Sequence, residues 1–170
     1  MKQNLMILCY DYDLSKKVAI ELSDYFSMRF LDEIELFNFD FYPRNLSDMI
    51  ELNGQEFVIS KLKKIAKSEC DYEGIIFISH LKIIGMCEEK FADFRDNNFI
   101  VYLNLSQDKK DRMFEENKND VFFVDCEKLK ECEISIKENL ADIYIDAYND
   151  STENISLLVA EKIKNFYNIV

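Results

Sequence analysis

The chain has 170 residues, of which 48% are hydrophobic and 14% aromatic, so it is long and apolar enough to bury a core of its own. Its 33 acidic and 21 basic residues give a formal net charge of -12. This negative charge opposes binding to nucleic acid or anionic lipid, because binding to either one depends on lysine and arginine side chains that contact phosphate groups. No apolar run approaches the roughly 18 residues of a membrane span, and the amino terminus has no signal-peptide pattern. We expect a cytoplasmic protein that binds neither nucleic acid nor membrane.

The hydrophobic pattern predicts strands that alternate with helices along the whole chain. The third strand, within "IIFIS", is apolar throughout, which is typical of a strand buried on both faces of a parallel sheet. The predicted strands cover residues 5–10, 29–31, 75–78, 99–105 and 141–147. The alternation predicts an α/β fold, namely a three-layer, doubly wound parallel sheet of five strands with right-handed crossovers.

Helices are predicted from apolar residues at 3.6-residue spacing and from capping residues. Ser47 or Asn45 caps one helix, Ser106 caps another, and "DSTE" forms a capping box for the last. The predicted helices cover residues 13–27, 47–53, 55–67, 87–96, 107–117 and the segment after 150, with a helix or loop at 126–139. We assign neither helix nor strand to the acidic, aromatic stretch "DEIELFNFDFYPRN" at 32–45.

Cysteine and histidine give weak indications of catalysis or metal binding. The cysteines form no C-x-x-C pair and no cluster with zinc spacing, so we interpret them as reduced thiols. His80 is the only histidine and directly follows the third predicted strand. Functional residues collect at such strand ends, but a lone histidine there is more often structural.

The stretch "CYDYDLSKK", residues 9–17, lies where the first strand runs into the first helix. Many nucleotide-binding proteins hold a phosphate at this corner on glycine-rich backbone, yet this stretch contains no glycine. Asp11 and Asp13 add negative charge, and a like charge about 5 Å from a phosphate costs ~3 kcal/mol at an effective dielectric near 20, or about a hundredfold in affinity. The sequence therefore predicts a tight turn filled by one bulky side chain, from Tyr10, Tyr12 or Leu14.

Three segments of the chain resemble shikimate kinases, which are small-molecule kinases with a P-loop. Residues 4–33 are similar to that family's opening strand, phosphate loop, first helix and second strand. Residues 97–113 resemble the strand and helix before its lid, and residues 138–163 resemble its ending, in which "ADIYID" is followed by a Ser/Thr-capped helix. The resemblance covers nearly the whole chain. It implies a single shikimate kinase-like domain over residues 1–170, with a degenerate lid near 117–130.

The phosphate-loop motif of that family, G-x-x-x-x-G-K-[ST], falls on "CYDYDLSK". Cys9 and Leu14 replace the two glycines, Ser15 replaces the lysine, and Lys16 replaces the Ser/Thr that holds Mg2+. A shift by one residue makes Lys16 the phosphate lysine, but Lys17 then stands at the magnesium position. The resemblance therefore implies that nucleotide would be bound, if at all, by the degenerate phosphate-loop positions Ser15, Lys16 and Lys17.

The other motifs of the family also depart from their pattern. Asp32 is kept as the residue that would help to hold Mg2+, while Ile34 replaces the aspartate that contacts the substrate. Phe57 and Val58 stand where a Phe-Arg pair grips the substrate carboxylate, "SHLK" replaces the Gly-Gly-Gly turn, and the lid stretch "NDVFF" has no arginine. We assign no catalytic residue.

Two functional hypotheses from different classes follow. The first is a shikimate kinase-like pseudoenzyme that needs no cofactor and binds a protein partner or a small ligand, because phosphoryl transfer depends on the cations that are missing. The aromatic residues that offer a protein-binding surface are Phe37, Phe39, Phe41, Tyr42, Phe122 and Phe123.

The alternative is an active phosphotransferase or nucleotide-binding protein with a non-standard loop. It would use ATP and Mg2+, held by Lys16 or Lys17 with Asp32 and by His80. A third interpretation, a signalling receiver domain, starts from the acidic end of the first strand, but it needs a third-strand aspartate about 45 residues later, whereas Ser79 ends that strand here.

Overall fold

The computed structural model describes residues 4–69, 71–85, 95–118, 120, 126–148 and 150–167. Its centre is one parallel sheet with the strand order β2-β3-β1-β4-β5. The strands are β1 Asn4–Cys9, β2 Arg29–Asp32, β3 Ile75–Ile78, β4 Asn98–Asn104 and β5 Ile143–Asp146. The predicted α/β fold with a five-stranded parallel sheet is confirmed.

The described helices connect these strands, and one further helix follows the last strand. They are α1 Tyr12–Phe26, α2 Glu33–Asp40, α3 Leu46–Asn53, α4 Gln55–Glu69, α5 Leu81–Gly85, α6 Gln107–Glu116, α7 Cys126–Asn139 and α8 Thr152–Tyr167. The predicted caps at Asn45 and Ser106 are confirmed, because each side chain accepts a backbone N–H from the first turn of its helix. The segment 126–139, for which a helix or loop was expected, is a helix.

The helices lie in two layers, one on each face of the sheet. Right-handed crossovers place α1 on one face and the helices that follow β2, β3 and β4 on the other. The contacts agree with this arrangement, since α1 packs against α8, while α5 packs against α4 and α7. At Gly85 the Cys132 side chain of α7 occupies the space that a Cβ atom would need, so this contact requires a glycine.

The core is built around β1, the central strand, and its neighbour β3, and every residue of these two strands is buried. Their burial on both faces explains why they are apolar almost without interruption. The first strand ends one residue before a fully buried aromatic side chain, Tyr10. The helix faces predicted to be apolar are buried as well, for example Val18, Ala19 and Leu22 on α1.

The structure corrects the prediction for residues 32–45, because α2 occupies the first part of this stretch. The Asp32 carboxylate accepts the backbone N–H groups of Ile34 and Glu35 and so caps the helix. Phe37 is fully buried, and its ring packs against Phe41 with centroids 4.6 Å apart. The closely spaced aromatic residues obscured the helical period in the sequence.

The remaining differences are small. Strand and helix boundaries move by one or two residues, and the predicted helix at 87–96 lies mostly outside the described residues. Among the helices that the structure describes, none combines the length and the apolar character needed to cross a bilayer. The receiver-domain interpretation is wrong, because that fold has the strand order 2-1-3-4-5, whereas here β3 lies between β2 and β1.

Candidate functional site

The candidate site lies at the corner between β1 and α1. β1 ends at Cys9 and α1 begins at Tyr12, so two residues make the whole connection. Tyr10 in this turn is fully buried, with its ring edge-on to Phe114 at 5.7 Å. The backbone follows the predicted tight turn, and Tyr10, one of the three side chains expected to fill it, is buried against α6.

The amino terminus of α1 is capped by the carboxylate of a residue in the same chain. Asp11 is the N-cap residue, and its Oδ1 accepts the backbone N–H of Leu14 at 3.0 Å. Its Oδ2 lies 3.0 Å from Nζ of Lys109 on α6. Exposed N–H groups at a helix start are the groups that bind phosphate in many proteins. In this protein a carboxylate from the same chain is bound there.

The side chain of Lys16 is paired with two carboxylates. Its Nζ lies 2.9 Å from Oδ2 of Asp32 and 2.5 Å from Oε1 of Glu35. The hydrogen bond to Glu35, supported by Asp32 and opposed by partial burial, raises the pKa of Lys16, so the side chain stays charged at neutral pH. This positive charge is neutralised within the protein.

Asp32 is almost fully buried, and hydrogen-bond donors surround its carboxylate. Oδ1 accepts the hydroxyl of Tyr12 at 2.7 Å and the backbone N–H groups that begin α2, and Oδ2 faces Lys16. A metal ion at Asp32 would compete with these donors and would lie close to the positive charge of Lys16. Asp32, the predicted magnesium ligand, thus makes an ion pair and hydrogen bonds within the chain.

The structure does not bring the three predicted nucleotide-binding residues together around one ligand. Ser15 is buried in the first turn of α1, where its hydroxyl donates a long 3.4 Å hydrogen bond to the backbone carbonyl of Asp11. Lys17 is exposed to solvent on the next turn. Only Lys16 reaches another predicted site residue, Asp32.

A buried acid that the sequence analysis missed lies beside Asp32. Glu33 is fully buried, and its two carboxyl oxygens accept the hydroxyl of Ser79 at 2.6 Å and the backbone N–H of His80 at 2.7 Å. Burial, helped by the charge of Asp32 and opposed by the two hydrogen bonds, raises the pKa of Glu33 to about 8. Glu33 ties the start of α2 to the end of β3.

His80 is buried above this carboxyl group and is neutral. Burial and the nearby charge of Lys82 lower the pKa of His80 to about 3. Its Nδ1 accepts the backbone N–H of Lys82, and its ring stacks on Tyr12 with centroids 6.3 Å apart. These contacts fit the structural role that was expected of a lone histidine at a strand end.

A cavity of about 320 Å³ opens at this corner, between the start of α1 and the end of α6. It lies next to the carboxyl end of β1, where the crossovers change direction, and ligands bind at such points in open α/β sheets. Its lining is Tyr10, Asp11, Tyr12, Asp13, Ile34, Leu46, His80, Met113, Asn117 and Asp120.

A second buried acid, also missed from the sequence, lies behind the corner. Oε1 of Glu133 on α7 receives Nζ of Lys110 at 2.5 Å, Nζ of Lys137 at 2.7 Å and the hydroxyl of Tyr102 at 2.6 Å. Burial alone would raise the pKa of Glu133, but these three donors lower it below its usual value. The Nζ of Lys110 also lies 5.0 Å from the ring centroid of Tyr10.

The aromatic residues proposed as a protein-binding surface divide into two groups. Phe37 is fully buried, so it belongs to the core and cannot contact a partner. Phe39 is 82% exposed and Tyr42 is 85% exposed, so both are accessible. Phe122 and Phe123 lie outside the described residues, as does part of the predicted lid at 117–130.

The sequence by itself matches no protein-family model and no curated protein. The structure resembles solved shikimate kinases along almost its full length. The enzyme from Aquifex aeolicus matches with a TM-score of 0.76 and 13% identity, covering 98% of this chain and 99% of that one. The chain has a shikimate kinase-like fold.

Two further solved structures support the same fold. The shikimate kinase from Acinetobacter baumannii, in complex with shikimate, matches with a TM-score of 0.74 and 11% identity, covering 99% of this chain and 95% of that one. The YorR protein from Bacillus subtilis, in complex with phosphorylated GDP, matches with a TM-score of 0.59 and 14% identity, covering 98% of this chain and 99% of that one. At these identities the likeness establishes the shikimate kinase-like architecture.

Proposed function

We propose that this shikimate kinase-like protein has lost kinase activity and acts in the cytoplasm by binding a small ligand or a protein partner. One observation carries the proposal: the carboxylate of Asp11 occupies the amino terminus of α1, and Lys109 holds it there. A kinase of this fold would place a phosphate group at that terminus. A phosphate would therefore have to displace the cap and approach a negative charge.

The neighbouring charges support the same proposal. Phosphoryl transfer depends on positioned cations and backbone donors that stabilise the developing negative charge. Lys16 is already paired with Asp32 and Glu35, and Lys109 is paired with Asp11. Neither lysine offers a phosphate an uncompensated positive charge, and using either one would first require an ion pair to be broken.

An active phosphotransferase or nucleotide-binding protein is the second candidate. The cavity at the β1–α1 corner favours it, because there is open space where the fold holds its ligands. Lys16 and Asp32 meet near this corner, and an enzyme would have to rearrange their ion pair in order to use ATP and Mg2+.

Calorimetry distinguishes the two candidates. The protein is titrated with ATP, ADP and nucleoside monophosphates at millimolar concentration in the presence of Mg2+, and ADP release is measured separately with shikimate and ATP. We expect no binding heat and no shikimate-dependent ADP release, with an active shikimate kinase as the assay control. Saturable ATP binding together with shikimate-dependent turnover would refute the proposal.

The variant Asp11→Asn tests whether repulsion by the Asp11 carboxylate is what opposes phosphate binding. Asparagine caps helices as well as aspartate does, so α1 should keep its start while losing the negative charge. Removing one unit of repulsion at close range should strengthen ATP binding by about tenfold or more. Asp24→Asn, near the other end of α1, makes the same change in net charge and should leave ATP binding unaltered. If Asp11→Asn binds ATP no better than Asp24→Asn, the carboxylate is not what excludes phosphate.

A further inference from the structure

We infer that the groove between α1 and α8 binds an amphipathic helix of a protein partner, one that carries lysine or arginine beside its apolar face. The inference goes beyond the proposed loss of kinase activity and does not depend on it. The groove borders the last part of α1, about 20 Å along the helix from the corner where α1 begins. The two sites can therefore be tested separately.

The shape of the groove suits a helix. It has a volume of about 350 Å³, and every residue of its lining belongs to α1 or α8. Two neighbouring helices leave a furrow between their side chains, and a third helix packs there when its own apolar side chains enter the furrow. The lining is Glu21, Leu22, Asp24, Tyr25, Glu153, Ser156 and Leu157.

Large apolar side chains are exposed at this groove. Leu157 is 55% exposed and Tyr25 is 50% exposed, and both belong to the lining. Ile20 is exposed as well, and it lies one turn before Asp24 on the same face of α1. Exposed apolar side chains that are grouped together and surrounded by polar ones are typical of a protein-binding surface. The groove thus offers apolar contacts to a partner.

The edges of the groove are acidic. Glu21, Asp24 and Glu153 form no ion pair with any residue in the ranges that the structure describes. Lys164 also reaches this surface, where its Nζ lies 2.6 Å from the hydroxyl of Tyr25 and 4.9 Å from the centroid of its ring. One lysine compensates at most one of three carboxylates, so the edges keep a net negative charge.

These charges distinguish between the occupants that an apolar groove could take. A second copy of this chain, with its own net charge of -12 and the same acidic edges, would meet like charges, and an anionic membrane would be repelled. A helix with lysine or arginine beside its apolar face meets opposite charges instead. Its cations pair with the acidic edges while its apolar side chains contact Leu157 and Tyr25.

Three synthetic peptides of about 18 residues separate the roles of charge and shape. The first has leucine at positions i, i+3, i+4 and i+7 and lysine beside this face, the second has glutamate in place of lysine, and the third is a scrambled form of the first. We expect the lysine peptide to bind the full chain with a dissociation constant below about 100 μM at physiological ionic strength, by fluorescence anisotropy. The other two should bind at least about tenfold more weakly.

Equal binding by the scrambled peptide would mean that charge alone attracts these peptides. Equal binding by the glutamate peptide would mean that the acidic edges select nothing. Either result overturns the inference, as does the absence of binding by the lysine peptide.

The variant Leu157→Ser locates the binding. Leu157 is exposed, so its replacement leaves the core intact, and the lost apolar contact should weaken binding of the lysine peptide by about fivefold or more. Leu52→Ser makes the same change at an exposed position on α3 and should weaken binding by less than about twofold. An equal loss in the two variants would place the peptide elsewhere and overturn the site.

The variant Glu153→Gln tests the acidic edge. Glu153 lies in the first turn of α8, and Glu56→Gln is a matched control, because it removes the same charge from the first turn of α4. We expect Glu153→Gln to weaken binding of the lysine peptide by about threefold and the control to change it by less than about 1.5-fold. If both variants lose the same affinity, the peptide responds only to net charge and the inference is wrong.

Analytical ultracentrifugation tests the competing occupant. We expect the chain to remain a monomer at the concentrations at which the lysine peptide binds, because two acidic grooves repel each other. A dimer that dissociates in Leu157→Ser but persists in Leu52→Ser would show that a second copy covers the groove. That result would refute the partner helix even if the peptide binds.

Discussion

Two buried glutamates on either side of the site differ in charge because of their partners. Glu33 accepts a hydroxyl and a backbone N–H and has no lysine or arginine among its hydrogen-bond partners, and burial raises its pKa to about 8. Glu133 is also buried, but two lysines and Tyr102 hold its carboxylate, and its pKa is lowered. The comparison teaches that the cations, rather than the degree of burial, decide which acid is ionised at neutral pH.

The contributions of the two acids to the free energy of unfolding should therefore change with pH in opposite directions. An acid whose folded pKa is raised makes the folded state bind more protons than the unfolded state, so its contribution falls as pH rises between the two pKa values. An acid whose folded pKa is lowered contributes above its unfolded pKa, and this contribution is lost as pH falls through the folded value. Glu33 belongs to the first case and Glu133 to the second.

The largest expected effect comes from Glu33→Gln, which replaces the protonated acid with a neutral group of the same shape. The wild-type free energy of unfolding should fall relative to the variant as pH rises from about 4.5 to about 8, by up to ~5 kcal/mol, since each pKa unit is worth about 1.4 kcal/mol. Urea unfolding of both proteins across this range measures the difference.

The control for this experiment is Glu35→Gln, an exposed acid on the same helix. Its difference from wild type should vary little with pH, because water screens an exposed charge. A pH-independent difference between Glu33→Gln and wild type would contradict the assignment of Glu33 as a protonated buried acid.

A smaller effect is expected from Lys110→Met, which removes one cation from Glu133 and keeps the length of the side chain. Breaking a buried ion pair by removing one partner costs about 3 kcal/mol, since the remaining carboxylate loses compensation for its burial. Lys64→Met, at an exposed position on α4, should change the free energy of unfolding by less than about 0.5 kcal/mol. Equal stability of the two variants would show that Lys137 alone holds the carboxylate.

The smallest effect belongs to Tyr102→Phe, which removes only the hydroxyl that donates to Glu133. The loss of a hydrogen bond to a charged group should destabilise the protein by about 1.5 kcal/mol and raise the pKa of Glu133. The midpoint of acid unfolding should therefore move to higher pH. Tyr42→Phe, at an exposed position, is the matched control and should leave that midpoint in place.

The fold could be predicted because strand burial leaves a direct trace in the sequence. "IIFI" and the segment that forms β1 are apolar because they are buried on both faces, and Asn45 and Ser106 are capping residues whose chemistry is local. The helix α2 was missed because its cap, Asp32, was interpreted as a metal ligand and its aromatic residues hide the helical period.

The charged contacts of the site could not be predicted in the same way. Asp11 and Lys109 are far apart in the chain, and their ion pair exists only because β1 and β4 are neighbours in the sheet. Glu33 and Glu133 look like ordinary surface acids in the sequence, since nothing local shows that both become buried. The absence of glycine from residues 9–17 was visible, and it predicted the tight turn before any contact was known.

The N-cap made by Asp11 is a competitor that cannot diffuse away. A free nucleotide must be supplied from solution, whereas this carboxylate is tethered to the helix whose N–H groups it satisfies, so dilution never weakens it. Under the proposed function, a phosphate ligand competes against a fixed effective concentration of carboxylate, which lowers its apparent affinity by a constant factor. The single substitution Asp11→Asn removes this charge and keeps a side chain that can cap the helix.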